Sequence, residues 1–116
     1  DKQSLLVFFG TYCPDCKQVL PVIEEVWKEM KNDSKFQLIA ISREETAEAV
    51  SEYWKENQLT MPFYLDPTHG SVFALFANNT IPRIYIINQN KEVVWMAVES
   101  LDISAKELIQ IIKELK

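Results

Sequence analysis

Apolar residues along this chain fall either in short unbroken runs or in stripes at helical spacing. Leu5–Phe9 and Phe36–Ile41 are runs without polar alternation beyond Gln37, which predicts strands buried on both faces, as in a parallel sheet. Gly10 and Thr11 end the first run. From Pro14 to Met30, Val19, Val22, Ile23, Val26 and Met30 recur at three- and four-residue steps and predict a long helix. Pro14 suits its first turn, where no internal N–H bond is lost. Pro21 falls inside it and predicts a kink, because it cannot donate to the carbonyl of Lys17. A turn at Lys31–Ser34 follows. A second helix is expected from Thr46 to about Asn57, with Ala47, Val50, Tyr53 and Trp54 on one face; Ser42 and Glu45 have the spacing of a capping box that would start it earlier.

Further on, Met61–Tyr64 reads as a short extended piece, Asp66-Pro67 as a turn, and Ser71–Ala77 as a short helix ending at Asn78. Arg83–Ile87 and Glu92–Ala97 read as two strands. The short turn Asn88-Gln89-Asn90-Lys91 joins them as an antiparallel hairpin. Ser104 and Glu107 form another capping-box signature and open a last helix with Ala105, Leu108, Ile109, Ile112 and Leu115 on its stripe. Strand, helix, strand at the start implies a parallel pair with a right-handed crossover. The whole order predicts an α/β fold: a mixed sheet with helices on both faces.

The 116 residues fit one domain, 1–116, without repeats or linker. With 47% hydrophobic residues the chain can bury a core without covalent staples. Trp27, Trp54 and Trp95 lie on apolar stripes and belong to that core or its edge. The net charge of −5 and the lack of a basic cluster argue against nucleic acid as a partner. No apolar run approaches the roughly 20 residues that span a bilayer. The sequence opens on Asp1 rather than Met, so an export signal or upstream segment is expected outside it. Two cysteines and one histidine are too few for a structural zinc site, which takes four ligands, so no metal is expected. His69 falls in a turn and reads as solvated.

Both cysteines sit in one stretch, Phe8-Phe9-Gly10-Thr11-Tyr12-Cys13-Pro14-Asp15-Cys16. A bond between Cys13 and Cys16 would close too small a loop to add much stability. Their position explains them better. Cys13 stands where a buried strand ends and a helix begins, so unpaired N–H groups and the positive end of the helix dipole favour a thiolate there. The thiolate is the attacking species in disulfide exchange. Cys16, one turn further in, is more shielded and close enough to displace whatever Cys13 has bound. Pro14 and Asp15 tune the pair. Asp15 stabilises the first helical turn while its charge opposes a Cys13 thiolate, and the sequence does not decide between the two effects.

These residues resemble the thioredoxin-like superfamily. The matching features are FFGTYCPDC after an apolar strand, Pro21 five residues past Cys16, and Ile81-Pro82 before a strand. The resemblance covers nearly the whole chain and implies a three-layer thioredoxin-like sandwich. The helical segment inserted between Phe36–Ile41 and Arg83–Ile87, with Phe63–Asp66 and Thr80–Ile87, is similar to the branch of extracytoplasmic bacterial thiol–disulfide oxidoreductases. It implies that Cys13 is the nucleophile, Cys16 the resolving thiol and Pro82 a cis-proline. Ile81 then offers backbone to an extended substrate and Tyr12 part of the apolar surface around the sulfur. As an ordinary residue Pro82 would simply mark a turn.

The chain departs from the family pattern in three places. Tyr12 stands where Trp is usual, Val7 where thioredoxins carry a buried Asp, and Val19 where some extracytoplasmic members carry a Glu. No acidic proton acceptor for Cys16 is therefore evident, and Asp15 or water would have to serve. The family's preceding strand and helix, or hairpin, is expected upstream of Asp1. Arg83, in a strand expected to be buried, either favours the Cys13 thiolate or pairs with a surface carboxylate.

The resemblance implies a monomeric enzyme that reduces or exchanges disulfides in protein substrates, with no cofactor beyond a redox-active Cys13–Cys16 disulfide. It implies an external thiol reductant, membrane-bound in some relatives, and a site outside the cytoplasm, in the periplasm or on a membrane anchor; a cytoplasmic site is the alternative. Peroxiredoxin chemistry is set aside, because Leu6 and Gly10 stand where that class needs Pro and Thr or Ser. A redox-inert binding module with the same fold is the rival reading.

Overall fold

The structure, a computed structural model, describes residues 2–43, 45–66, 81–98 and 102–115. The expected helix at Ser71–Ala77 and the turn holding Pro67 and His69 lie outside the described residues. Five strands form one mixed sheet: β1 (Gln3–Phe9), β2 (Phe36–Arg43), β3 (Phe63–Asp66), β4 (Arg83–Ile87) and β5 (Val93–Val98). Their order across the sheet is β3-β2-β1-β4-β5. The β1–β2 and β2–β3 pairs are parallel, and β1–β4 and β4–β5 are antiparallel. The helices among the described residues are α1 (Pro14–Met30), α2 (Ala47–Glu56) and α3 (Ala105–Glu114).

Alternation along the strands divides the core. Leu5, Val7 and Phe9 of β1 join Leu38, Ala40, Ile84 and Ile86 on the face covered by the three described helices. Leu6 and Phe8 face the other way, with Ile41 and Tyr85. The central strand β1 is buried along its full length, as its unbroken apolar run predicts. Helix α1 runs from Pro14 through Pro21 without interruption and buries Cys16, Val19, Leu20, Ile23, Val26 and Met30. The capping box at Ser104 and Glu107 is present and starts α3.

Several boundaries differ from the sequence expectation, each for a physical reason. Strand β1 begins two residues earlier, because Gln3 donates through Nε2 to the Ile112 carbonyl at 2.8 Å and Ser4 Oγ accepts from Gln37 Nε2 at 2.8 Å. Buried polar groups with partners are tolerated inside a strand. Strand β3 runs from Phe63 to Asp66, beyond the expected end at Tyr64, because Asp66 is buried in register with Arg43 of β2. The Ser42–Glu45 pair is not a helix cap: Ser42 belongs to β2, and α2 is capped by Thr46, whose hydroxyl accepts from the Ala49 N–H at 3.1 Å.

One carboxylate ties α1 to the lead into β3. Glu24 is only 5% exposed. Its Oε1 accepts from the backbone N–H groups of Thr60 and Met61, both at 2.9 Å, and its Oε2 from the Thr60 hydroxyl. Removing it strands buried donors, each costing about 1–3 kcal/mol. Glu24→Ala is therefore expected to lower the unfolding free energy by about 3 kcal/mol, seen as a lower urea midpoint at unchanged slope. Glu24→Gln, which keeps one acceptor oxygen, should lose less. A Glu24→Ala midpoint equal to that of the parent would remove this tie from the stabilising interactions.

Candidate active site

The site forms at the carboxyl end of β1, where three backbone segments converge. Because Phe9 pairs with Ser42 in parallel register, the chain after β2 is carried alongside Gly10 and Thr11. Because Phe8 pairs with Arg83 in antiparallel register, Pro82 and Ile81 are carried alongside Phe9 and Gly10 from the other side. The Ile81–Pro82 bond is cis. Sequence positions far apart thus meet around the turn that holds Cys13.

Cys13 is the N-cap of α1, with extended backbone at φ −93° and ψ 118°. Pro14 occupies the first helical position and Asp15 the first turn. Cys16 is then the third helical residue, and its backbone N–H donates to Cys13 Sγ at 3.3 Å. A sulfur here does what a Ser or Asp oxygen does at other helix starts: it satisfies one of the orphan donors. The Cys13 thiol also lies 3.8 Å from the Ile81 carbonyl, toward which it donates.

The two cysteines are free thiols in unlike surroundings. Cys13 is half-buried, whereas Cys16 has 0% exposure. Burial pushes the Cys16 thiol far up from its ordinary value, and the hydrogen bond between the two thiols pushes the same way. A backbone hydrogen bond from Gly10 opposes this, while the charges of Cys13 and Asp15 add to it. Asp15 therefore works against ionisation of Cys16 rather than assisting it. On α2, Tyr53 is also raised, first by burial and then by the charge of Cys16.

Of the remaining site residues, Ile81 reaches the sulfur through its carbonyl, Tyr12 lies over the turn at Gly10, and Arg83 faces away. Tyr12 is 57% exposed, and its hydroxyl donates to the Arg43 carbonyl at 3.3 Å. Ile81 and Cys13 both pack against the main core. Arg83 is half-buried at the start of β4 and donates from Nη1 to the Tyr85 hydroxyl at 3.4 Å. That contact puts it on the sheet face opposite the core holding Cys16.

Sequence reasoning overlooked three residues that build the turn. The Cys13 N–H donates to the Gly10 carbonyl at 3.1 Å. Glu45 Oε1 accepts from the Thr11 N–H at 2.9 Å and from the Ser42 hydroxyl at 2.6 Å, and its Oε2 accepts from the Thr11 hydroxyl. Glu45 thus pins Gly10-Thr11-Tyr12 from the β2 side. Its spacing from Ser42 was a usable signal, but it pointed to a helix cap. For Gly10 the signal was scarcity: the chain has only 2 glycines, and one directly precedes the cysteine turn. Among the described residues, no group of three or more His, Cys, Asp or Glu side chains is placed to hold a metal.

Comparison with known proteins agrees with this geometry. The chain is 27% identical over 95 residues to the sporulation thiol–disulfide oxidoreductase A of Bacillus subtilis, covering 79% of this chain and 56% of that protein. It is 29% identical over 92 residues to the thiol–disulfide oxidoreductase ResA of Oceanobacillus iheyensis, covering 79% and 47%. The chain therefore spans about half the length of the curated relatives it matches. The solution structure of a candidate protein disulfide isomerase from Bacteroides thetaiotaomicron superimposes with a TM-score of 0.88 at 30% identity, covering 97% of this chain and 72% of that one. A family profile described as thioredoxin-like matches residues 1–93. With a mixed sheet, a cysteine pair at a helix start and a cis-proline beside it, this chain belongs to the thioredoxin-like family.

Proposed function

We propose that the chain is a thiol–disulfide oxidoreductase that reduces or exchanges disulfides in protein substrates, with Cys13 as nucleophile and Cys16 as resolving thiol. The observation that carries this reading is the hydrogen bond from the Cys16 N–H to Cys13 Sγ, which couples a reachable sulfur to a fully buried neighbour.

The reaction balances with these groups alone. The Cys13 thiolate attacks one sulfur of the substrate disulfide, forming a mixed disulfide and expelling the other sulfur as a thiolate, which takes up a proton. Cys16 then loses its proton to solvent and attacks Cys13 Sγ. The mixed disulfide breaks, the second substrate sulfur leaves as a thiol, and the pair is left oxidised. Two electrons pass to the substrate. An external thiol of the reductant class restores the dithiol, and the same residues run in reverse as an oxidant.

The timing follows from Cys16. Before capture, its thiol is held protonated by burial and by the Cys13 sulfur together. Once Cys13 is tied up in a mixed disulfide it carries no charge and accepts no thiol proton. Two of the influences that raise Cys16 then disappear, while burial persists. Resolution is thereby delayed until there is something to resolve. The Ile81 carbonyl faces the reacting sulfur and Tyr12 precedes Cys13 in the chain, in keeping with substrate backbone pairing there. Relationship to the extracytoplasmic branch supports a site outside the cytoplasm and a reductant supplied there. No helix among the described residues is long and apolar enough to cross a membrane.

In insulin reduction driven by dithiothreitol, Cys13→Ser is expected to fall to the uncatalysed rate, and Cys16→Ser to accumulate a mixed disulfide visible by intact mass. Equal rates for the parent and Cys13→Ser would favour the redox-inert binding module instead. The raised Cys16 thiol means that only a small thiolate fraction exists near neutrality. The decay of a preformed Cys13 mixed disulfide should therefore speed up about tenfold per pH unit above neutrality, until the pH passes the Cys16 value. A rate independent of pH from 7 to 9 would contradict a protonated resolving thiol.

A further inference from the structure

Gly10 does not need to be glycine for its backbone, because it does not adopt a left-handed conformation. The need is for space. A Cβ built on Gly10 would stand 2.6 Å from Tyr12 Cζ, 2.7 Å from Tyr12 Cε1 and 3.1 Å from Ile81 Cδ1. The first two distances are far inside van der Waals contact. The Tyr12 ring therefore lies directly over the Gly10 backbone. Ring and Ile81 side chain approach the same point, so they adjoin there. The far end of the ring is held by its hydroxyl, which donates to the Arg43 carbonyl. Glu45 fixes the intervening Thr11. A ring that is 57% exposed is thus set in one orientation over the turn that leads into Cys13 by contacts below, beside and at its tip.

The geometry points to Gly10 as a specificity-determining residue: by lacking a Cβ it seats Tyr12 against Ile81, forming an apolar platform that selects disulfides in extended polypeptide whose neighbouring side chain can lie on the ring. This rests on the oxidoreductase reading and adds which substrates the site prefers. A flat, immobilised aromatic surface gains contact area without the cost of ordering a loose side chain. A protein disulfide brings flanking residues to that surface, whereas a small disulfide brings none. Alanine at position 10 keeps the N–H and C=O that serve Cys16 and Cys13 and removes only the seat. The ring must then lift away from Ile81, and protein substrates lose the platform.

The test is a double-substitution cycle in the full chain, reading the ratio of kcat/KM for insulin to kcat/KM for hydroxyethyl disulfide. Gly10→Ala is expected to lower this ratio about fivefold, the scale of one lost aromatic contact. The loss should appear mainly as a higher KM for insulin. Tyr12→Ala should lower the ratio to a similar extent, and adding Gly10→Ala to it should change the ratio no further. A ratio unchanged in Gly10→Ala would overturn the proposal, as would an equal further drop in the Tyr12→Ala background. Either result leaves the oxidoreductase reading standing. A parent protein that turns over neither disulfide overturns both. Thermal melts of each variant, with an intact transition expected, tie the ratios to folded protein.

Discussion

The Cys16 N–H reaches back one turn to Cys13 Sγ, and the rest of the site is arranged around that bond. It joins the N-cap to the third helical residue. The two-residue spacing of the cysteines is therefore set by capping geometry as much as by the need for two sulfurs to meet. A single contact caps the helix and fixes how the two sulfurs sit relative to each other. The asymmetry of the pair follows. The capping sulfur faces outward, and the third helical residue faces the core by helical periodicity.

The turn is held from both sides by strand register. The parallel neighbour brings Arg43 and Glu45, which bind Tyr12 and Thr11. The antiparallel neighbour brings Ile81 and the cis Pro82, which present a carbonyl to the sulfur. The central strand can be completely buried because both of its neighbours are paired along its length. The position of the cysteine turn is thus a consequence of sheet order: the central strand ends between a parallel and an antiparallel neighbour, and each supplies a clamp.

Much of this was legible in the sequence wherever the signal was local. The apolar run at Leu5–Phe9, the stripe on α1, the hairpin and the capping box at Ser104 and Glu107 are set by residues within a few positions of each other. The cysteine pair was legible for the same reason. What escaped depends on distant partners. Gln3 extends β1 only because it meets the Ile112 carbonyl, 109 positions away. Strand β3 continues past Tyr64 to Asp66 only because that stretch finds its register on β2, where Asp66 lies opposite Arg43. Ser42 and Glu45 do bond to each other as their spacing suggests, but the carboxylate then serves Thr11, 34 positions back, and no local pattern distinguishes that from a cap. The space above Gly10 exists only in three dimensions.

The division of labour between the two sulfurs is tested most directly by limiting alkylation. Reduced, native protein is treated with less than one equivalent of iodoacetamide at neutral pH, quenched, and digested for peptide mass mapping. The label is expected on Cys13 almost alone, because that sulfur is reachable, while Cys16 is enclosed and held protonated by burial. Equal labelling of the two, or Cys16 labelled first, would contradict the assignment of nucleophile and resolving thiol.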